Sequence, residues 1–228
     1  MKIAEIYHSV QGEGLLTGTP SVFVRTSGCN LRCWYCDTPY TSWHPEGQDL
    51  SVDEIMAQIE EWDTRHVVLT GGEPMLFAEL IPLTAELRSA GRHITIETAG
   101  TLYLPVECDL MSISPKLANS TPPARIDPRW RHRHEQARHV PAVIRRLTQE
   151  FAYQMKFVID EPADCDEVAE YLQEFPEIPA DRVWLMPQGT EGDPLAAKAR
   201  WLEPICHRRG WRYCPRRQIE WFGLVRGT

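Results

Sequence analysis

The chain has 228 residues, 43% of them hydrophobic, with a formal net charge of −8 at pH 7 and an isoelectric point near 5.5. That length suits a single domain, taken as residues 1–228, with apolar material enough for a real core. The acidic balance argues against a dedicated nucleic-acid binder, and no run approaches the length of a membrane helix. The expectation is an enzyme acting on a small molecule, with neither nucleic acid nor membrane as partner. The opening Met1-Lys2-Ile3-Ala4-Glu5-Ile6-Tyr7-His8 lacks the layout of a signal peptide. Cys108, Cys165, Cys206 and Cys214 are scattered and read as ordinary thiols, so a reducing cytoplasm is the expected compartment.

In chain order, Pro20 to Arg25 reads as a strand that runs straight into a cysteine-rich segment. Ser51-Val52-Asp53-Glu54 is a capping box opening a helix through about Trp62. His66 to Thr70 is a short apolar strand, followed by a helix from about Phe77 to Ala90 that Gly91 stops. His93 to Glu97 and Leu110 to Ile113 are the next strands. Arg125 to Arg146 holds seven arginines and three histidines. It reads as a solvated loop entering a basic helix near Glu135 to Gln149, with a patch for an acidic partner as the alternative. Tyr153 to Ile159 is a strand, Asp164 to Phe175 a helix, Arg182 to Met186 a strand and Pro194 to Arg209 a helix stopped by Gly210. A last strand-like region lies within Trp211 to Phe222. Such alternation implies a parallel sheet with right-handed crossovers. The strand count is nearer six than eight, and the chain is short for a closed barrel of ~250 residues. The expected fold is α/β, a partial, open parallel (β/α)6-type barrel.

In such folds the loops after the strands hold the chemistry, and the distinctive motifs fall there. Cys29-Asn30-Leu31-Arg32-Cys33-Trp34-Tyr35-Cys36 follows the first of these strands. Gly71-Gly72-Glu73-Pro74, Thr98-Ala99-Gly100-Thr101, Ser114-Pro115-Lys116 and Pro187-Gln188-Gly189 follow others. Cubane iron–sulfur clusters take one cysteine per iron, so three thiolates from one loop leave one iron open to a small molecule. Three legs of a structural zinc site, completed by His8, His44 or Cys108, are the alternative, although no second paired knuckle is present. A disulfide framework fits poorly, since seven is an odd number and neighbouring cysteines would close very small loops. Glycines after a strand let the backbone approach a ligand, and Glu73 with nearby carbonyls suits a charged amino group. Ser114 and Lys116 suit a ribose or carboxylate, and Gln188 could read a purine edge.

The C-x3-C-x2-C triplet with Tyr35 before its last cysteine resembles the radical S-adenosylmethionine (SAM) superfamily. Ser9-Val10-Gln11-Gly12-Glu13-Gly14, Phe23 to Leu31, Cys36-Asp37-Thr38, Leu69 to Pro74, Glu97 to Thr101, Ser112 to Lys116 and the tail Trp221 to Thr228 resemble one branch, the 7-carboxy-7-deazaguanine synthases. The resemblance implies conversion of 6-carboxy-5,6,7,8-tetrahydropterin to 7-carboxy-7-deazaguanine with loss of ammonia, in the biosynthesis of queuosine and other 7-deazapurines. A 5′-deoxyadenosyl radical would start the reaction and SAM would be regenerated. By the same resemblance Cys29, Cys33 and Cys36 hold a 4Fe-4S cluster, and Tyr35, Cys36, Asp37, Gly100, Ser114, Pro115 and Lys116 contact SAM. Val10, Gln11, Gly12, Arg25 and Thr98 contact the pterin, and Thr38 ligates Mg2+. A flavodoxin-type electron donor and a homodimer are the implied partners. Arg217-Gln218-Ile219-Glu220 departs from a histidine-bearing family pattern, so no catalytic role is assigned to the tail. The rivals are an activase of another protein and a non-catalytic cluster or zinc protein.

Overall fold

Apolar runs of four to seven residues form the buried middle of one sheet in the computed structural model, which describes residues 1–228. The elements are β1 (Lys2–Val10), β2 (Pro20–Thr26), α1 (Pro39–Ser42), β3 (Gln48–Asp49), α2 (Val52–Ile59), β4 (His66–Gly71), α3 (Leu80–Ser89), β5 (His93–Thr98) and β6 (Leu110–Ile113). They continue with α4 (Pro128–Ala137), α5 (Pro141–Glu150), β7 (Tyr153–Ile159), α6 (Asp164–Gln173), β8 (Val183–Pro187), α7 (Gly192–Arg209), β9 (Arg212–Tyr213) and α8 (Arg217–Phe222). The strand order is β3-β1-β2-β4-β5-β6-β7-β8-β9. From β2 to β9 every pairing is parallel, while β1 runs antiparallel to β2 and β3. With β3 and β9 at opposite edges the sheet stays open.

Six substantial parallel strands make the expected partial barrel, and three further strands extend it. The largest addition is β1, nine residues with no counterpart in the sequence reading. Its burial is mostly intermediate, because it flanks the sheet instead of sitting under helices, so it lacks the compact, mostly apolar run of β4 or β6. The helix expected near Glu135 to Gln149 is two helices. Pro128 and Pro141 each occupy a first-turn position, where proline's missing N–H is harmless, and a single helix through Pro141 would lose a backbone bond. The last strand-like region is two residues of strand followed by α8. The Ser51–Glu54 capping box is formed on both sides, with Ser51 Oγ accepting from Glu54 N at 3.2 Å and Ser51 N donating to the Glu54 carboxylate at 2.8 Å.

Val24, Leu69, Ile96, Ile113, Phe157 and Leu185, one from each of six adjacent strands, are buried in one core with Leu83 and Leu87 of α3, Ile144 and Leu147 of α5 and Val168 of α6. The parallel register then lines up the strand ends: Thr26 pairs with Gly71 and Thr98 with Ile113. The cysteine loop and the three motifs that follow β4, β5 and β6 therefore start at one rim of the sheet. Replacing Phe157, fully buried and edge-on to Tyr171 at 5.3 Å, by alanine should lower unfolding stability by about 3–5 kcal/mol. Ser51→Ala, at an exposed helix start, should cost about 1 kcal/mol. Urea denaturation of both variants checks the ranking, and equal midpoints would be incompatible with this core.

Candidate active site

Gly28, two residues past the end of β2, has φ 142°, a region that favours glycine, and turns the chain into the cysteine loop. Its N–H donates to Thr41 O and its carbonyl accepts from Glu73 N, both at 2.8 Å. Beyond it Cys29, Leu31, Cys33, Tyr35 and Cys36 line a cavity of 630 Å³. Asn30, Arg32 and Trp34 are absent from that lining, and Trp34 is 44% exposed. All seven cysteines are free thiols. Burial pushes the Cys29 and Cys33 thiols up to about 12. Cys36 Sγ lies 3.2 Å from Ser42 Oγ and 3.8 Å from Thr38 Oγ1. No three His, Cys, Asp or Glu side chains are gathered tightly enough to hold a single metal ion. A cubane takes each thiolate on a different iron and needs no such convergence.

The double glycine after β4 is a packing requirement. A Cβ on Gly71 would meet Thr26 O at 2.2 Å, and one on Gly72 would meet Gly28 O at 2.1 Å. Glu73 corrects the sequence reading: it is fully buried and turned away from the cavity. Its carboxylate accepts from Ala99 N and Thr98 Oγ1 at 2.8 Å and from Met75 N at 3.1 Å, tying the β4 loop to the β5 loop. Burial raises its pKa, against those three hydrogen bonds.

The other expected residues divide into two groups. Val10, Gln11, Gly12, Arg25, Tyr35, Cys36, Asp37, Thr38, Thr98, Ser114 and Lys116 line the same cavity as the thiols. Gly100 and Pro115 do not; both are buried behind it, and a Cβ on Gly100 would strike Ile144 Cδ1 at 2.4 Å. Arg25 donates from Nε to Glu5 and from Nη2 to the Tyr7 hydroxyl, each at 2.6 Å. Gln11 donates to Ser21 Oγ at 2.9 Å, and the Gly12 carbonyl accepts from Arg217 N at 3.0 Å. Lys116 Nζ reaches Ser114 O and Oγ at 2.7 Å. Thr38 precedes α1 without a side-chain cap bond, and its hydroxyl accepts from Thr41 Oγ1 at 3.3 Å. Gln188 lines the cavity with its amide oxygen taken by Lys198 Nζ at 3.1 Å.

Sequence reasoning missed most of a charged cluster that lines the same cavity. Lys156 Nζ lies 2.7 Å from Glu97 and 3.1 Å from Glu13, and Arg216 contacts Glu13 at 3.4 Å and also pairs with Asp37. Gln218 donates to Glu13 at 2.5 Å while its own Oε1 is buried without a partner. A usable signal existed in β7, where Gln154 and Lys156 interrupt an otherwise apolar buried strand. Nothing local marks Arg216 or Gln218, which meet Glu13 across more than two hundred residues. The tail from Gly223 to Thr228 also lines the cavity, and Arg226 anchors it to Glu5 at 3.1 Å and Glu46 at 3.0 Å.

Burial alone would raise the Glu13 carboxyl, but Lys156 and Arg216 beside it and the Gln218 bond bring it down to about 2. Burial opposes the Lys156 charge, yet Glu97 and Glu13 hold its pKa above the ordinary value. Because the folded-state pKa of Glu13 is depressed from 4.5 to about 2, its contribution to stability is complete above pH 4.5 and fades toward pH 2. Glu13→Gln should therefore be less stable than wild type at pH 7 by about 3 kcal/mol. Urea midpoints of the two proteins should converge between pH 4.5 and pH 2, and a gap independent of pH would show that the ion pairs are not its cause.

The likenesses to known proteins agree with this geometry. Residues 23–115 match the Radical SAM superfamily. A 7-carboxy-7-deazaguanine synthase of Rhodopirellula baltica is 49% identical, over 99% of this chain and 88% of that protein. One of Halobacterium salinarum is 43% identical, over 96% and 89%. The crystal structure of QueE from Escherichia coli superposes with a TM-score of 0.70 at 26% identity, over 94% of this chain and 92% of that one. With three thiols and a polar cavity at the rim of a partial parallel barrel, and relatives matched along nearly its whole length, the chain belongs to the 7-carboxy-7-deazaguanine synthases of the radical SAM superfamily.

Proposed function

We propose that this chain, as a single domain spanning residues 1–228, converts 6-carboxy-5,6,7,8-tetrahydropterin to 7-carboxy-7-deazaguanine with loss of ammonia. The observation that carries the proposal is one cavity of 630 Å³ shared by three free thiols, the Arg25 guanidinium and a wall of paired charges. The donor set fits the family's cofactors. Cys29, Cys33 and Cys36 would hold a 4Fe-4S cluster, and Tyr35, Asp37, Ser114 and Lys116 stand at the same cavity to receive SAM. Gly100 and Pro115 would act from behind, keeping the backbone close to it. Together the bound cluster and SAM supply a carbon-centred radical able to take hydrogen from an unreactive position.

This chain's own residues bind, orient and exclude water. Two Arg25 nitrogens are committed to Glu5 and Tyr7, which locks the guanidinium and leaves Nη1 for the substrate carboxylate. Val10, Gln11, Gly12 and Thr98 would bound the pterin ring. The Thr98 hydroxyl already donates to Glu73 and accepts from Gly100 N, so it shapes the wall more than it offers a free donor. A pterin edge carries both donors and acceptors, and the buried, unpartnered Gln218 Oε1 supports its placement here. Lys156, pinned by Glu97 and Glu13, keeps its proton and orients the ring. The tail residues Leu224 and Val225 line the cavity and would shield it from water.

Thr38, with its hydroxyl at the cavity, would supply one ligand to Mg2+, an ion that keeps several waters and takes few protein ligands. The electron donor would be an acidic, flavodoxin-type protein. Arg125, Arg129, Arg131 and Arg133 are exposed and form no ion pair, which supports such a partner. Exposed Trp221, Phe222, Leu224 and Val225 support a homodimer. Seven free thiols suit a cytoplasmic location, and no helix is long and apolar enough to cross a membrane.

The test is an anaerobic assay of reconstituted protein with SAM, Mg2+, dithionite and the carboxytetrahydropterin, read by mass spectrometry. Product should form without stoichiometric loss of SAM. Arg25→Gln should lower kcat/KM about 100-fold, the loss expected of one charge-assisted hydrogen-bond pair. Formation of 5′-deoxyadenosine without any deazapurine would retain the radical chemistry and reject this substrate.

A further inference from the structure

Among lysines and arginines three are buried in this chain: Arg32, Lys156 and Arg216 are exposed by 8%, 2% and 8%. Lys156 and Arg216 are each paired with two carboxylates. Arg32 has none. Its Nη1 donates to Cys29 O and Leu31 O at 2.7 Å, which satisfies hydrogen bonds and leaves the charge uncompensated. A buried cation without a counter-charge is costly, and arginine does not escape by losing its proton. Those two carbonyls belong to the cysteine loop itself, so the guanidinium is held against the backbone that carries Cys29 and Cys33.

Two residues of α4 hold Arg32 in place. The Trp130 ring lies 3.9 Å from the centre of the guanidinium. His134, fully buried, accepts from Arg32 N through Nδ1 at 3.1 Å. Ser120 Oγ donates to Leu117 O at 2.6 Å, so it accepts from His134 Nε2 at 2.8 Å. The imidazole is therefore the neutral tautomer with its proton on Nε2, and burial pushing its pKa down to about 4 keeps it so. It adds geometry and no second charge. Arg32 and Trp34 belong to the side of the loop that does not line the cavity, so this arrangement stands behind the thiols and leaves the ligand side clear.

We propose that Arg32, stacked on Trp130 and with its backbone fixed by His134, is the counter-charge of the iron–sulfur cluster. This rests on the assignment of that cluster to Cys29, Cys33 and Cys36. Cluster-bound thiolates of the same loop would bring negative charge close to Arg32, and a one-electron reduction would add to it. A fixed cation there favours the reduced form, and charge and hydrogen bonding around a cluster set its potential. Arg32 is thus a positioning residue that acts through the cluster without touching substrate.

The experiment is an EPR-monitored redox titration of anaerobically reconstituted protein without SAM or substrate, with iron and sulfide content measured for each sample. Arg32→Gln should show about a ten-fold smaller ratio of reduced to oxidised cluster at a fixed solution potential, a fall of ~59 mV for a one-electron couple. Arg32→Lys keeps the charge and should titrate near wild type. Trp130→Leu leaves Arg32 in the chain and should shift the potential in the same direction by less. Identical potentials for wild type and Arg32→Gln would overturn the proposal. Should Arg32→Gln fail to load iron, Trp130→Leu decides, and a wild-type potential in that variant overturns it. A wild-type chain that takes up no cluster would reject the cluster assignment itself, before any variant is compared, and the proposal with it.

Discussion

Two backbones meet without side chains between them at the ends of β2 and β4, and the site depends on that approach. Gly72 lies so close to Gly28 O, and Gly71 to Thr26 O, that any Cβ would overlap them. Glu73 N then bonds Gly28 O, while the Glu73 carboxylate gathers Thr98 Oγ1 and Ala99 N from the next loop. One short segment thus seats the cysteine loop on one side and the β5 loop on the other. Because β2, β4 and β5 are parallel and in register, this local contact carries directly to the rim where the thiols face the cavity. A carboxylate that the sequence presents as a ligand-binding group is here the fastening between loops.

Another part of the cavity lining is held by charge. Glu13 enters from the loop after β1, Glu97 from β5, Lys156 from β7, and Arg216 and Gln218 from the end of the chain. Buried ion pairs of this kind are weak evidence for net stability, since desolvation offsets most of the attraction. What they fix is position: Lys156 and Arg216 are each held between two carboxylates, which aims their charged ends from two sides. The cavity is accordingly closed by segments far apart in the chain, and its polar groups are oriented before a ligand arrives.

Legibility in the sequence follows from the range of the forces involved. β6 and β7 were readable to the residue because short, mostly apolar runs mark buried strands even where Ser112, Gln154 and Lys156 interrupt them, and the α2 start because a capping box is a three-residue interaction. The thiols, Ser114 and Lys116 could be expected at one cavity because strand-end motifs are local and the topology brings strand ends together, whereas Arg25 was singled out by the family resemblance. β1 was missed because a flanking strand of intermediate burial has no such run. The break at Pro141 turned on one missing backbone donor within a pattern of helical periodicity. Glu73, Arg216 and Gln218 were misread or unseen because their partners lie 25 to more than 200 residues away.

The arginine- and histidine-rich stretch shows the same division within one helix. Its sequence is uniform enough to read as a solvated basic face, and Arg129, Arg131 and Arg133 are indeed exposed. His134, one residue further, is fully buried against the cysteine loop, and Trp130 covers Arg32. Successive residues of a helix point about 100° apart, so a single basic run presents two surfaces with opposite jobs. One faces solvent with unpaired charge, and the other closes the outer side of the loop whose inner side carries the thiols. The crossover between β6 and β7 is therefore part of the site's construction, although none of its residues between Pro128 and Glu150 reaches the cavity.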